Sequence, residues 1–316
     1  MHDAATPPNG SSPPAGLPPE APEKAPPPPC PYLDPENAPL PPSGWLRRWP
    51  GVTFLLPFVV FMVFNSLPLE SAPTPEELAA EKAAAEREAR GEPSAISLDE
   101  LKEQREARQH AKIPYEHYPI VYSLKIGFTL LAMLVVLPGY RAFPFRVHAI
   151  AWLVGAVGAV VWIGLCKLHL EPKLLEPLGL GKFLDFVRRP GFDPLTQIKD
   201  NPQWAYGFLA IRFFGLVLVI SVVEEFFLRG FLMRYVMDID WHLIPFAVVN
   251  RLALIVGTAF PMLMHPGELF AAAAWFSLIT WLMLRTKNIW DCVIAHAVTN
   301  LLMALWDVWS GDWWLM

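Results

Sequence analysis

The sequence predicts an all-α, polytopic transmembrane bundle of about seven spans behind a disordered, proline-rich N-terminal tail. Apolar residues make up 53% of the 316 and charged residues only 17%, against about 25% charged in an ordinary soluble domain. The charges are also gathered: eight fall in residues 1–50, nineteen in 68–118 and twenty-eight in 119–316. A mean hydropathy of +0.32 survives averaging over a tail that holds 16 of the 34 prolines before residue 45, so the remaining body is more apolar still. A net charge of −5 without a long basic run argues against a nucleic-acid partner, because phosphate binding draws on clustered Lys and Arg. Cys30, Cys166 and Cys292 fit neither a disulfide framework nor a Cys/His metal spacing.

Residues 1–44 carry Pro-Pro pairs and few large apolar groups, too little to offset the entropy of ordering, and read as the disordered tail. The first apolar stretch follows Pro50, so 45–67 reads as an uncleaved first anchor rather than a signal peptide. Trp45 and Trp49 suit a headgroup belt, and Arg47 and Arg48 place the tail on the cytoplasmic side by the positive-inside rule. Residues 68–118 turn to Ala, Glu, Arg and Lys. Thr74-Pro75-Glu76-Glu77 and Ser97-Leu98-Asp99-Glu100 are capping boxes that predict two charged helices split near Gly91 and Pro93, a spacer outside the bilayer.

From Pro119 the apolar runs close up at about 119–138, 147–166, 206–236, 245–265, 268–285 and 288–309, most of them near the 20 residues a span needs. The run 245–265 is the weak one: Asn250 and Arg251 leave a short apolar part before His265-Pro266-Gly267, and an oblique entry is expected. The segment 167–205, with Pro172, Pro177, Pro190 and Pro194, reads as interfacial or re-entrant. Trp306, Trp309, Trp313 and Trp314 form a closing aromatic belt. Arg141 and Arg146, Arg229 and Arg234, and Arg285 with Lys287 all favour the cytoplasmic side, so a site facing the cytoplasm is expected.

The chemistry concentrates in 206–309. Within the long run stands Ser221-Val-Val-Glu224-Glu225-Phe-Phe-Leu-Arg229-Gly230, and an ionisable group at the bilayer centre costs about 2.5–3.5 kcal/mol unless partnered. Glu225 and Arg229 share a helix face at i, i+4 and can pair. Glu224 points about 100° away, with apolar Leu228 four residues on, and needs a partner from another helix or a cavity. His265 lies at a Pro-Gly break where freed carbonyls must line a cavity or be buried. His296 and Asn300 are again i, i+4, on one face of an otherwise apolar helix. Each of these residues alone is common inter-helix glue; their joint occurrence in successive runs is not. His-Glu-x-x-His, Gly-x-Gly-Asp and Gly-x-Ser-x-Gly are missing.

In Glu224-Glu225-x-x-x-Arg229, His265 and His296-x-x-x-Asn300, the stretch 206–309 resembles the CPBP intramembrane proteases, the CAAX prenyl endopeptidase and Abi-like family. EEFFLRGFLMRY, MHPGE and RTKNIWDCVIAHAVTNLL look most like its bacterial CAAX prenyl protease-related subgroup, which is associated with exosortase systems. One departure stands out: where the family usually has Phe-x-x-x-His, Pro261 occupies the Phe position and Phe260 comes one residue early. The resemblance implies an intramembrane endopeptidase in a bacterial inner membrane, cutting a membrane-associated protein or peptide. Glu224 would be the general base on a water positioned by His265, Glu225 would be paired with the supporting Arg229, and His296 and Asn300 would donate to the oxyanion. The family is conventionally called metalloprotease; Glu224, His265 and His296 are the candidate zinc ligands, while a glutamate-activated water needs no metal. The alternatives are a non-proteolytic membrane scaffold or immunity-type protein, and a proton-coupled transporter using both glutamates as a relay. The last finds no inverted repeat in its support.

Overall fold

A computed structural model describes residues 30–40, 44–69, 75–91, 96–109, 112–179 and 191–313. The chain divides into two units, Met1–Pro31 and Tyr32–Met316. Of the first only Cys30 and Pro31 are described, so most of the expected tail, like Thr74 of the first capping box and Trp314 of the aromatic belt, lies outside the described residues. Within the second unit, Asp34 already donates its backbone N–H to the Leu243 carbonyl, so contact with the bundle begins earlier than the composition of 1–44 indicates.

The described chain is all-helical apart from one isolated bridge, Leu69 to Ile113. The helices used below are α1 (Val52–Asn65), α2 (Pro75–Ala89), α3 (Leu98–Gln109), α4 (Tyr118–Val135), α5 (Ala149–Lys167), α6 (Leu170–Leu175), α7 (Pro202–Tyr235), α8 (Arg251–Met264), α9 (Leu269–Thr286) and α10 (Ile289–Ser310). Five are long and apolar enough to cross a membrane: α5, α7, α9, α10, and α4 with the short turn that precedes it from Tyr115. The chain is thus an integral membrane protein. The expected first anchor and the weak run give only 14 residues each, α1 and α8, about 21 Å of helix against a hydrocarbon core of about 30 Å. In α8 the reason is local. Asn250 accepts the Ala253 N–H as the cap, so the polar pair that interrupts the run is its start.

The charged spacer forms the two expected helices. In the second capping box Ser97 Oγ accepts the Glu100 N–H (3.1 Å) and Glu100 returns a carboxylate oxygen to the Ser97 N–H (3.3 Å). The hairpin is closed at its base by Ile113 N–H to the Pro68 carbonyl (2.7 Å).

α5 packs along α9 and α10, α8 along α9, and α1 along α4. Small residues set the closest approach, as expected where lipid supplies no drive for association. A Cβ on Gly155 would stand 2.6 Å from the Ala295 carbonyl and from Val298, and one on Gly158 would stand 2.7 Å from Trp275 Nε1. At one end of this pair the carboxylate of fully buried Asp291 accepts the His148 backbone N–H (2.8 Å) and binds its ring Nδ1 (2.7 Å), while Asn288 donates to the Arg146 carbonyl. At the other, Lys167 bonds Asp312 and holds its carboxyl below the usual carboxylate range.

Arg229 and Arg234 do not sit in a loop. Both are buried; Arg234 donates to the Gly230 and Ile244 carbonyls and lies against Phe54, Phe143 and Trp241. Buried inside the protein, they carry no information about membrane sidedness.

Gly158→Ala should lower the unfolding temperature, by overpacking worth about 1–3 kcal/mol, whereas Gly127→Ala should not, since nothing stands within 4 Å of a Cβ there. Thermal unfolding of the two purified variants in detergent checks the pair.

Candidate active site

The long helix α7 is irregular where the carboxylates sit: Gly215–Ile220 and Phe226–Leu232 are π-helical and flank a regular turn, Ser221–Glu225. Such widened turns free carbonyls and recur at functional sites. They leave Glu225 and Arg229 close enough to pair, Nη1 to Oε2 at 2.5 Å with both side chains fully buried. Arg229 also donates to the Phe276 carbonyl of α9 (3.3 Å). The second oxygen of Glu225 bonds His296 Nδ1 of α10 at 2.9 Å. A carboxylate that already takes the guanidinium accepts here too, so Nδ1 carries the proton. That fixes the tautomer and turns Nε2 toward Glu224, 3.8 Å from its Oε2. The imidazole lies edge-on to Trp275 (4.6 Å between centroids), and the indole N–H donates to Thr299, whose hydroxyl also lies 2.8 Å from the Gly155 carbonyl. The glycine contact of α5 with α10 therefore positions the ring as well.

His265 ends α8. Its backbone N–H bonds the Met262 carbonyl, which leaves the Pro261 carbonyl to the imidazole, Nδ1 to O at 2.9 Å. A carbonyl only accepts, so this Nδ1 also carries its proton. Pro261, the departure from the family motif, is thus the residue whose oxygen orients the histidine. The ring is packed by Trp162 (5.5 Å) and Phe276 (5.7 Å), and Phe260 packs on Phe227.

Asn300 donates its amide to the Leu216 carbonyl in the first π-helical stretch (2.9 Å) and to Ser221 Oγ (3.3 Å), the partners expected of an interhelical clamp.

Four of the five residues picked out by sequence line one cavity of about 380 Å³: Glu224, His265, His296 and Asn300. Glu225 stands behind it, fully buried. Sequence reasoning passed over three charged wall residues, Lys125, Arg212 and Glu268. The signal was there for the first two, since a lone cation in an apolar run raises the same question of cost as Glu224. Lys125 bonds Asn65 Oδ1 (3.1 Å) over the rings of Phe61 and Tyr122, and Arg212 donates to the Phe192 carbonyl.

The lining also fixes where the cavity leads. It includes the last residue of α1 (Asn65), the first of α4 (Tyr118), the end of α8 (Met264) and the residue before α9 (Glu268). Arg146, Arg285 and Lys287 flank the opposite ends of α5, α9 and α10. A cavity facing the arginine-rich end, the sequence expectation, is therefore not what is found. Among the described residues no group of three His, Cys, Asp or Glu is disposed to hold a metal ion, and no step below is routed through a metal.

Residues 206–302 match the model of a protease family, type II CAAX prenyl endopeptidase Rce1-like. The matched segment contains the whole motif set and agrees with the resemblance read from its residues. No curated protein and no solved structure matches the chain. The Rce1-like segment supplies Glu224, Glu225, Arg229, both histidines and Asn300; α1, α4 and α5, which precede it, and Met303, which follows it, also contribute to the cavity wall.

Glu225→Gln strands the buried Arg229 and loosens His296, and should cost about 3–5 kcal/mol, the usual effect of removing one member of a buried pair. Glu224→Gln, at the cavity surface, should leave the unfolding temperature within a few degrees of wild type. Unfolding curves of the two single variants, read side by side, test this division of labour.

Proposed function

We propose that this chain is an intramembrane endopeptidase that hydrolyses a peptide bond of a membrane-associated protein with a water activated by Glu224. The observation that carries the reading is the pairing of unlike carboxylates on adjacent residues. Glu225 spends its oxygens on Arg229 and His296, while Glu224 faces a cavity that also presents His265, His296 and Asn300.

In this mechanism Glu224 takes a proton from a water that His265 helps to position. The water oxygen bonds to the scissile carbonyl carbon, and the carbonyl π electrons move onto its oxygen. Asn300 reaches that oxyanion by exchanging its longer bond, to Ser221, for the substrate oxygen; neutral His296, whose one N–H is held by Glu225, keeps only an acceptor nitrogen toward Glu224 and does not donate to the oxyanion. As the tetrahedral intermediate collapses the C–N bond breaks, and the amine leaves with the proton returned by Glu224. A positioned general base contributes about 10²–10⁴-fold and an oxyanion donor about 10²–10³-fold. Glu225 and Arg229 act one step back, by holding the His296 tautomer.

Glu224→Gln keeps the shape and removes the basic oxygen, so turnover of membrane-protein substrates should fall by about 10²–10⁴-fold in a protein that still folds. The measurement is an unbiased comparison of membrane-protein termini in cells making wild-type or Glu224→Gln protein. Wild-type cleavage by the Gln variant overturns the base assignment, and abolition by a chelator with recovery on adding zinc overturns the metal-free route.

A further inference from the structure

The end of the bundle away from the cavity mouth carries four cations that the fold itself does not use. Arg141 and Arg146 lie between α4 and α5, Arg285 and Lys287 at the junction of α9 and α10, and all four are exposed. Among the described residues, none of their side chains makes a hydrogen bond or an ion pair. The segments that present them are nevertheless fixed to one another. Asn288 donates to the Arg146 carbonyl (2.7 Å), Trp290 Nε1 donates to the Phe143 carbonyl (2.9 Å), and buried Asp291 is engaged by His148 rather than by any of the four. Lys287 is held at φ 51°, ψ 35°, a left-handed conformation that suits Gly or Asn and disfavours other side chains. Asn there would relieve the backbone and keep its N–H on the Met283 carbonyl.

Beside the cations is a slot of about 180 Å³ lined by Leu137, Tyr140, Arg141, Phe143, Phe145 and Trp290. Phe145 is 70% exposed and meets Trp290 edge-on, 5.1 Å between ring centroids. Arg141 is thus both a wall of an apolar slot and one of the unpaired charges. A soluble phosphate would answer the cations and leave the slot empty, and an uncharged apolar molecule would do the reverse. An amphiphile with an anionic head answers both. The spans α5 and α10 begin at this level, where headgroups lie, and the anionic amphiphile of that layer is a phospholipid, which basic clusters beside spans attract. Membrane sidedness alone asks only for positive charge near the spans. It does not call for a fixed loop, a left-handed lysine or a slot.

We propose that Arg141, Arg146, Arg285 and Lys287 hold the headgroup of an anionic phospholipid whose acyl chain enters the slot beside Phe145 and Trp290. The full chain, purified in a non-ionic detergent, is titrated with dioctanoyl phosphatidylglycerol, and the unfolding temperature is followed. Dioctanoyl phosphatidylcholine is the zwitterionic control and glycerol phosphate the control for a head without a chain. Only phosphatidylglycerol should raise the unfolding temperature. Half-saturation should move about fivefold higher in Arg141→Gln and in Lys287→Asn, and about 25-fold higher in the double variant. Without lipid, Lys287→Asn should unfold at or above the wild-type temperature, because the left-handed backbone is relieved; lost affinity is thereby separated from lost folding. Phe145→Ala, which opens the slot, should also shift half-saturation upward, whereas Lys199→Gln, an exposed cation before the start of α7, should not. Equal stabilisation by phosphatidylcholine, no response in wild type, or unshifted titrations in Arg141→Gln and Lys287→Asn overturns the proposal. A response to glycerol phosphate as strong as that to the lipid, or an unshifted titration in Phe145→Ala, overturns the lipid as occupant. None of these outcomes depends on whether the protein cuts peptides.

Discussion

The carboxylate of Glu225 is the fixed point of this molecule. It joins three helices, its own α7 through Arg229, α10 through His296, and α9 by way of the Arg229 bond to the Phe276 carbonyl. Two opposite charges at zero exposure are stable in such a place only when geometry and hydrogen bonds compensate desolvation. Here the compensation comes from elements far apart in sequence, so the pair cannot be satisfied unless the bundle is assembled. The same bond decides which nitrogen of His296 faces the cavity, which is how a structural ion pair sets the condition for the chemistry beside it.

The surrounding scaffold serves that point by close approach and by irregularity. Gly155 and Gly158 bring α5 against α10 and Trp275, and Trp275 in turn buttresses the His296 ring. Gly230 admits the Phe54 ring, which a Cβ would meet at 2.6 Å, and so lets α1 reach the motif helix. The π-helical stretches on either side of Ser221–Glu225 release a carbonyl, Leu216, that Asn300 takes up. Each departure from regular helix is matched by a named side chain, as backbone polar groups at membrane depth require.

Much of this was legible in the sequence, and for physical reasons. A span is a composition, so the long runs read directly; a capping box is a local hydrogen-bond pattern, so Ser97 and Glu100 could be placed before any fold was known. The i, i+4 pair of Glu225 and Arg229 follows from helix geometry alone. What depended on tertiary context was less visible. The polarity of Asn250 and Arg251 looked like a flaw in a span and is a helix start. Pro261 looked like the loss of a motif residue, yet its carbonyl holds His265. Asn300, expected to face the cavity with its amide, has that amide committed to α7. Arg229 and Arg234 counted as positive charges near a loop until their burial removed them from the tally.

That last point bears on how a substrate reaches Glu224. α1 starts beside Phe143 and Trp241, both in contact with Phe54. The cavity leads to the other end, where α1 finishes and the charged hairpin of α2 and α3 begins. A peptide arriving there would also have to leave helical form at the cleaved bond, because a helical carbonyl already accepts an N–H and cannot be polarised by a second donor without weakening the first. Unwinding in hydrocarbon leaves backbone groups that must find partners. The polar residues of the wall, Asn300 and the two histidines with Lys125 and Glu268 among them, are the groups that can supply those partners, so the features that make the cavity costly to build are the ones that let an extended peptide lie in it.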